Sequence, residues 1–299
     1  MSEDGHAGPM RDQVRLFFDL FKLRIGFAIG LTALAGALAV PGRQAAGAWQ
    51  IALLVACVIA ASASAGAFNQ YVERDLDARM GRTRHRAFVT GRLTHGPFWL
   101  GVIGLMLALA VCATAVAVNP VAALFVFLGA FFYGVVYTVV LKRRTWMNIV
   151  IGGLAGSFAV LAGATSVAPG EVGPVAASLA WVLFLWTPPH FWSLAIAYHD
   201  DYRAAGVPML PVVVGDARAA RAVLAGTVVL VFSSFLPLAF GLGPLYAAGA
   251  IAGGFLFLRA AARLARDPSR ATAMRSFHAS LAQLSLLLIG VIADAAWRG

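Results

Sequence analysis

Charge is scarce in this chain. Asp, Glu, Lys and Arg make up 12% of its 299 residues, about half the share usual in soluble domains. Hydrophobic residues make up 61%, and mean hydropathy is +0.82. That balance excludes an ordinary soluble globular fold. Cysteine is nearly absent: Cys57 and Cys112 both lie inside apolar runs and read as small core residues, not as a disulfide or thiol site. The first ten residues, MSEDGHAGPM, lack the basic n-region and cleavage site of a signal peptide. Residues 1–16 read as a disordered cytoplasmic N-terminus, and residues 17–299 as one transmembrane domain.

What the chain does have is long apolar runs. A spanning helix needs about 20 mostly apolar residues. Nine such runs occur, near 20–40, 50–70, 97–117, 120–140, 146–166, 175–197, 220–239, 244–262 and 277–297. They are too long and too evenly apolar for barrel strands, and only helices satisfy their own backbone in lipid. The fold class is therefore all-α: a polytopic membrane protein of about nine transmembrane helices. Of 23 Lys and Arg, 21 fall at the N-terminus or in the even-numbered inter-span loops; only Arg43 and Arg298 fall on the other side. The positive-inside rule then places the N-terminus in the cytoplasm and the C-terminus outside, in a bacterial cytoplasmic (inner) membrane. The formal charge of +10 is explained by that orientation and by anionic headgroups of the lipid bilayer, so no nucleic acid is called for.

The thirteen acids are unevenly placed. NQYVERDLDARMGRTRHR (69–86) follows the second span directly and carries Glu73, Asp75 and Asp77. Asn69, Glu73 and Asp77 stand at i, i+4 and i+8, one face of a helix. Oxygen ligands so stacked at a membrane surface suit a hard cation such as Mg²⁺, and two carboxylates leave room for waters and phosphate oxygens. The alternative is a solvated helix end of mixed charge. A second acidic pair, Asp200 and Asp201, ends the sixth span on the same side, where it can face the first across a cavity. Arg82, Arg84, Arg86, Lys142, Arg143 and Arg144 are suitable phosphate partners. Mixed charge beside an apolar wall fits a ligand with a diphosphate head and a hydrocarbon tail.

These residues resemble the first motif of the UbiA-type intramembrane prenyltransferases. Within that superfamily, KRRTWMNIVIGGLAGS (142–157), WTPPHFWSLAIAYHDDYRAAGVPMLPVV (186–213) and MRSFHASLAQLSLLLIGVIAD (274–294) look like the heme O synthase branch. The chain departs from the usual pattern at Leu23, Ala87, Trp146 and Phe158–Val160, where prolines are common, and has Glu73 where Asp is more common. The resemblance implies nine helices around a central cavity, with farnesyl diphosphate as donor and heme b as acceptor. It implies Asn69, Glu73, Asp77, Asp201 and Asp200 on Mg²⁺, and Arg74, Arg84, Lys142 and Arg143 on the diphosphate. It also suggests a heme A synthase or a terminal oxidase as a physical partner.

Acceptor residues are less defined. His190, within the sixth span, reads either as a heme ligand or steering group or as a core histidine bonded to a neighbouring helix. His199, like His85, sits beside the charge clusters and reads either as a surface residue or as an acceptor contact. Asn148 is a candidate donor to diphosphate, Tyr133 and Tyr137 read as packing residues, and GGLAG (152–156) as close helix packing. Two rivals stand: a related enzyme using a quinone precursor, and a transporter. Transporter acids tend to sit near the bilayer midplane, whereas these cluster at span ends.

Overall fold

The computed structural model describes residues 9–40 and 47–298. Residues 1–8 and Arg43 lie outside the described residues. Residues 9–16, expected to be disordered, open a helix instead.

Described residues form helices and turns, with no strand. In chain order the helices are α1 (Pro9–Leu20), α2 (Leu23–Ala39), α3 (Ala48–Val72), α4 (Arg74–Arg79), α5 (Ala87–Thr90), α6 (Pro97–Ala117) and α7 (Pro120–Phe131). Helix α7 runs on as a π-helix, Phe132–Leu141. Then come α8 (Asn148–Gly152), α9 (Leu154–Val167), α10 (Pro174–Ala197), α11 (His199–Ala204), α12 (Leu210–Val214), α13 (Asp216–Ser233) and α14 (Leu236–Ala239). Helices α15 (Pro244–Arg266) and α16 (Arg270–Arg298) end the chain. Eight segments are long and apolar enough to cross a membrane, and α1 with α2 makes a ninth, bent by 50°. Those nine match the nine apolar runs, so the chain is a multi-pass membrane protein.

The bend between α1 and α2 falls at Lys22, the one described non-glycine residue with positive φ (φ 47°, ψ 42°). A left-handed conformation costs a non-glycine residue about 1–2 kcal/mol, so the surrounding contacts must hold it. The stem of Lys22 runs past Gly66, where an added Cβ would come within 3.3 Å of it.

Because lipid supplies no hydrophobic drive between helices, packing rests on close approach. Helices α2 and α9 show this best. A Cβ on Gly36 would strike the Val160 carbonyl, and one on Gly163 would strike the Ala33 carbonyl. The packing order is a ring. Helix α2 touches α3 and α9, α3 touches α6 and α7, α10 joins α9 to α13, and α16 packs on α15, α10 and back on α2. A polar seam stitches α10 to α16: Trp186 Nε1 donates to the Ser280 carbonyl (2.9 Å) and Ser193 Oγ meets Ser276 Oγ (2.9 Å). An apolar groove of about 510 Å³ lies between α3 and α6, lined by Ala56, Cys57, Val102 and Leu109 among others. It holds no charged residue and is separate from the polar cluster. Cys57 and Cys112 are both free thiols.

Candidate metal and diphosphate site

Helix α3 ends at Val72, but its hydrogen bonding hardly breaks. Glu73 N donates to the Asn69 carbonyl (3.0 Å) and Asp77 N to the Glu73 carbonyl (2.8 Å). The four-residue repeat therefore survives into α4, and Asn69, Glu73 and Asp77 stay on one inward face. All three are buried. Asp75 turns outward, as its phase on the helix requires.

Each buried group meets a cation or a donor. Lys142 Nζ donates to Glu73 Oε2 at 2.5 Å. Arg86 Nη1 donates to both oxygens of Asp77, at 2.8 and 2.7 Å. Lys22 Nζ donates to Asn69 Oδ1 (2.7 Å) and to the Tyr133 hydroxyl (3.0 Å). The Asn69 amide then donates to Thr138 Oγ1 (3.0 Å). The π-helix supplies Tyr133 and Thr138 and directly precedes Lys142. Its wider turn, seen in Lys142 N donating to the Tyr137 carbonyl (2.9 Å), stacks Tyr133 and Tyr137 with centroids 5.9 Å apart. Lys22 Nζ lies 5.6 Å from the Tyr133 ring centroid and Lys142 Nζ 5.6 Å from that of Tyr137, so two aromatic faces flank the ammonium groups.

Two acceptors are left over. Glu73 Oε1 and Asn148 Oδ1 are buried with no hydrogen-bond partner. A buried lone pair without a partner is costly and invites a ligand. Among the described residues no group of three or more His, Cys, Asp or Glu side chains gathers as a metal cage. Hard oxygen donors in small number, two of them unused, fit a magnesium ion that takes the rest of its shell from water and phosphate.

The second acidic motif is tied to the loop that follows the first. The Asp201 carboxylate accepts from Gly81 N (3.3 Å) and Arg82 N (3.2 Å), tying the loop after α4 to the start of α11. That clasp orients the RTRHR stretch. Arg86 points to Asp77, Arg82 points to the α10 side, and Arg84 lies exposed.

Several expected site residues stand elsewhere. Asp200 is 94% exposed, with only Arg203 nearby at 3.6 Å, because the first turn of α11 carries its neighbour inward. Arg74 is exposed, one step off the inward face. Arg143 pairs with Asp75 at the surface (2.7 and 2.8 Å), and its guanidinium holds the Asp75 carboxyl below the usual carboxylate value. His199 belongs to a surface trio in which it meets Asp216 (2.6 Å) and accepts from Arg203. His190 is buried between the rings of Trp186 and Phe277 (centroids 4.1 and 4.5 Å) and hydrogen-bonds Ser280 Oγ (2.6 Å). That is the helix-bonded core arrangement. In the other direction, sequence reasoning gave no role to Lys22 and treated Tyr133 as packing. The signal for Lys22 was present as a cation, with Arg24, at the head of the first apolar run.

Fold and site together define an all-helical intramembrane protein with a polar, metal-compatible cluster at one end of its ring. The UbiA prenyltransferase family matches residues 29–287, and the chain belongs to it. It is 54% identical over 286 residues to protoheme IX farnesyltransferase 2 of Paramagnetospirillum magneticum, covering 95% of this chain and 98% of the relative. A solved digeranylgeranylglyceryl phosphate synthase superposes with TM-score 0.75 at 17% identity over 95% of this chain and 99% of its own. A UbiA homolog from Archaeoglobus fulgidus, solved with DMAPP and Mg²⁺, gives TM-score 0.65 at 16% identity, covering 91% and 98%.

Proposed function

We propose that this chain transfers the farnesyl group of farnesyl diphosphate to a vinyl group of heme b, giving heme o. The likeness to a protoheme IX farnesyltransferase over nearly the whole chain carries this reading. In chemical terms, Glu73, Asp77 and Asn69 would hold Mg²⁺, joined by Asp201 of the loop-clasping second motif, and Asn148 Oδ1 adds a spare acceptor. Bound there, the metal would neutralise charge building on the diphosphate. Lys142, Arg86 and Lys22 are the cations placed to take over the diphosphate oxygens when the acids turn to metal. They favour rupture of the allylic C–O bond, whose electron pair leaves with the diphosphate. The apolar wall keeps water from the allylic cation until the vinyl carbon attacks. Water then captures the new cation beside the porphyrin and loses a proton, leaving a hydroxyethylfarnesyl group.

The acids lie at span ends and are matched by cations, which suits a diphosphate site better than a transport path. The same charge pattern supports a site on the cytoplasmic face of a bacterial inner membrane, within a single domain from residue 17 onward. A heme A synthase or a terminal oxidase would consume the product. The test is direct. Purified protein with Mg²⁺, heme b and farnesyl diphosphate yields a heavier, more hydrophobic heme by mass spectrometry, and EDTA stops it. Unchanged heme b in the complete mixture overturns the assignment.

A further inference from the structure

Tyr198 ends the sixth span beside two guanidinium groups. The Arg82 and Arg270 Cζ atoms lie 5.4 and 5.3 Å from its ring centroid. Arg82 comes from the loop after α4 and Arg270 from the first residue of α16, so three distant segments meet here. Neither arginine pairs with an Asp or Glu among the described residues, whereas Arg86, Arg143 and Arg203 all do. Arg82 reaches the Tyr202 hydroxyl only at 3.4 Å, and its Nε is buried with no partner. Two like charges against one neutral ring repel each other, and a buried guanidinium N–H without an acceptor is costly. Both costs vanish if a carboxylate binds between them, where Arg forks bind best.

We propose that Arg82, Arg270 and Tyr198 form the anchoring site for the carboxylates of the acceptor porphyrin. This rests on the farnesyl-to-heme reading above. Heme b carries its two carboxylates along one edge and its vinyl groups on the other side of the ring. Anchored carboxylates at the polar mouth direct the vinyl edge inward, away from water. The loop that sends Arg86 to Asp77 sends Arg82 to Tyr198, with Asp201 clasped between them, so donor and acceptor heads are held by the two sides of one loop.

The test uses the full chain in detergent and in lipid nanodiscs, with heme b and its dimethyl ester titrated by absorbance and then assayed as acceptors. Arg270→Gln weakens heme b binding about five-fold, in line with loss of one exposed charge contact, while KM for farnesyl diphosphate holds. Wild type binds the ester as weakly as the variant binds heme b, the variant loses nothing further on the ester, and Arg270→Lys recovers part of the affinity. Equal wild-type affinity for heme b and its ester overturns the site without any variant. An Arg270→Gln effect that falls on farnesyl diphosphate, or equally on the ester, also overturns it. So does an effect seen with anionic lipid and absent with neutral lipid, which assigns the arginines to headgroups. Tight, carboxylate-dependent binding of heme b without turnover keeps the site and overturns the farnesyl transfer instead.

Discussion

Glu73 carries two unlike oxygens: one accepts from Lys142, the other has no partner. Glu73→Gln keeps the shape but removes the charge that would hold metal and that pairs with Lys142. Turnover should fall about a hundred-fold or more, the scale for losing one aimed electrostatic contact, and the melting temperature should fall too, because the buried Lys142 loses its counter-charge. Full activity in that variant ends the metal assignment. Lys142→Met asks the converse. It strands Glu73 as a buried carboxylate, which costs about 3–5 kcal/mol, so the protein should melt earlier. Mn²⁺ should recover part of the loss by binding the freed acid, and should bind this variant more tightly than wild type when pyrophosphate is absent. No gain in Mn²⁺ affinity would mean that Lys142 and the metal do not compete for Glu73. Asp75 is the control. Its carboxyl titrates below the ordinary value because Arg143 hydrogen-bonds it. A depressed carboxylate stabilises the fold above its unfolded-state value and loses that contribution as pH falls through the folded one. The pair is exposed, so screening leaves under about 0.5 kcal/mol. Asp75→Asn should leave turnover unchanged and flatten only a slight acid-side loss in thermal stability. A large loss of activity would place Asp75 in the site after all.

At the scale of elements, the contact of α2 with α9 is the sharpest constraint. Gly36 and Gly163 each lie against a carbonyl of the other helix with no space for a methyl group. Overpacking of this kind typically costs about 1–3 kcal/mol, and here backbone must give way, so Gly163→Ala should reach the upper end. The expected result is a lower melting temperature with the farnesyl diphosphate KM preserved in the protein that still folds. Normal stability would mean that the two helices separate without cost. The positions of the helices were legible because each apolar run is as long as a bilayer is thick. The inward face of 69–77 was legible because the four-residue repeat continues through the bend at Glu73. The sorting of RTRHR was not. It depends on Asp201 capping two backbone amides of a loop 120 residues away in the chain, so that Arg86 enters and Arg84 stays out. The break at Lys22 was hidden for another reason. Lysine carries no sequence signal for a left-handed conformation, and the strain is met by Asn69, Tyr133 and the groove over Gly66.

For the whole molecule, the question is which way the ring faces. The polar cluster draws Lys22, Arg86 and Lys142 to one end of the bundle, and the bases of the 6–7 and 8–9 loops belong to the same side by chain alternation. An odd number of crossings is required if that side is cytoplasmic and the chain ends outside. Helix α1 does not change the parity: it either tilts into the headgroups with Phe17 and Phe18 exposed or continues α2 as one bent crossing. A periplasm-dependent phosphatase fused after Trp297 should therefore be active, and the same reporter placed at Pro268, between α15 and α16, should be silent. A cytoplasm-dependent fluorescent reporter should show the reverse pattern. Phosphatase activity at Pro268 would turn the metal and diphosphate site toward the outside. Farnesyl diphosphate and heme b made in the cytoplasm could not then reach Glu73 and Arg270, and the proposed reaction would fail on access alone.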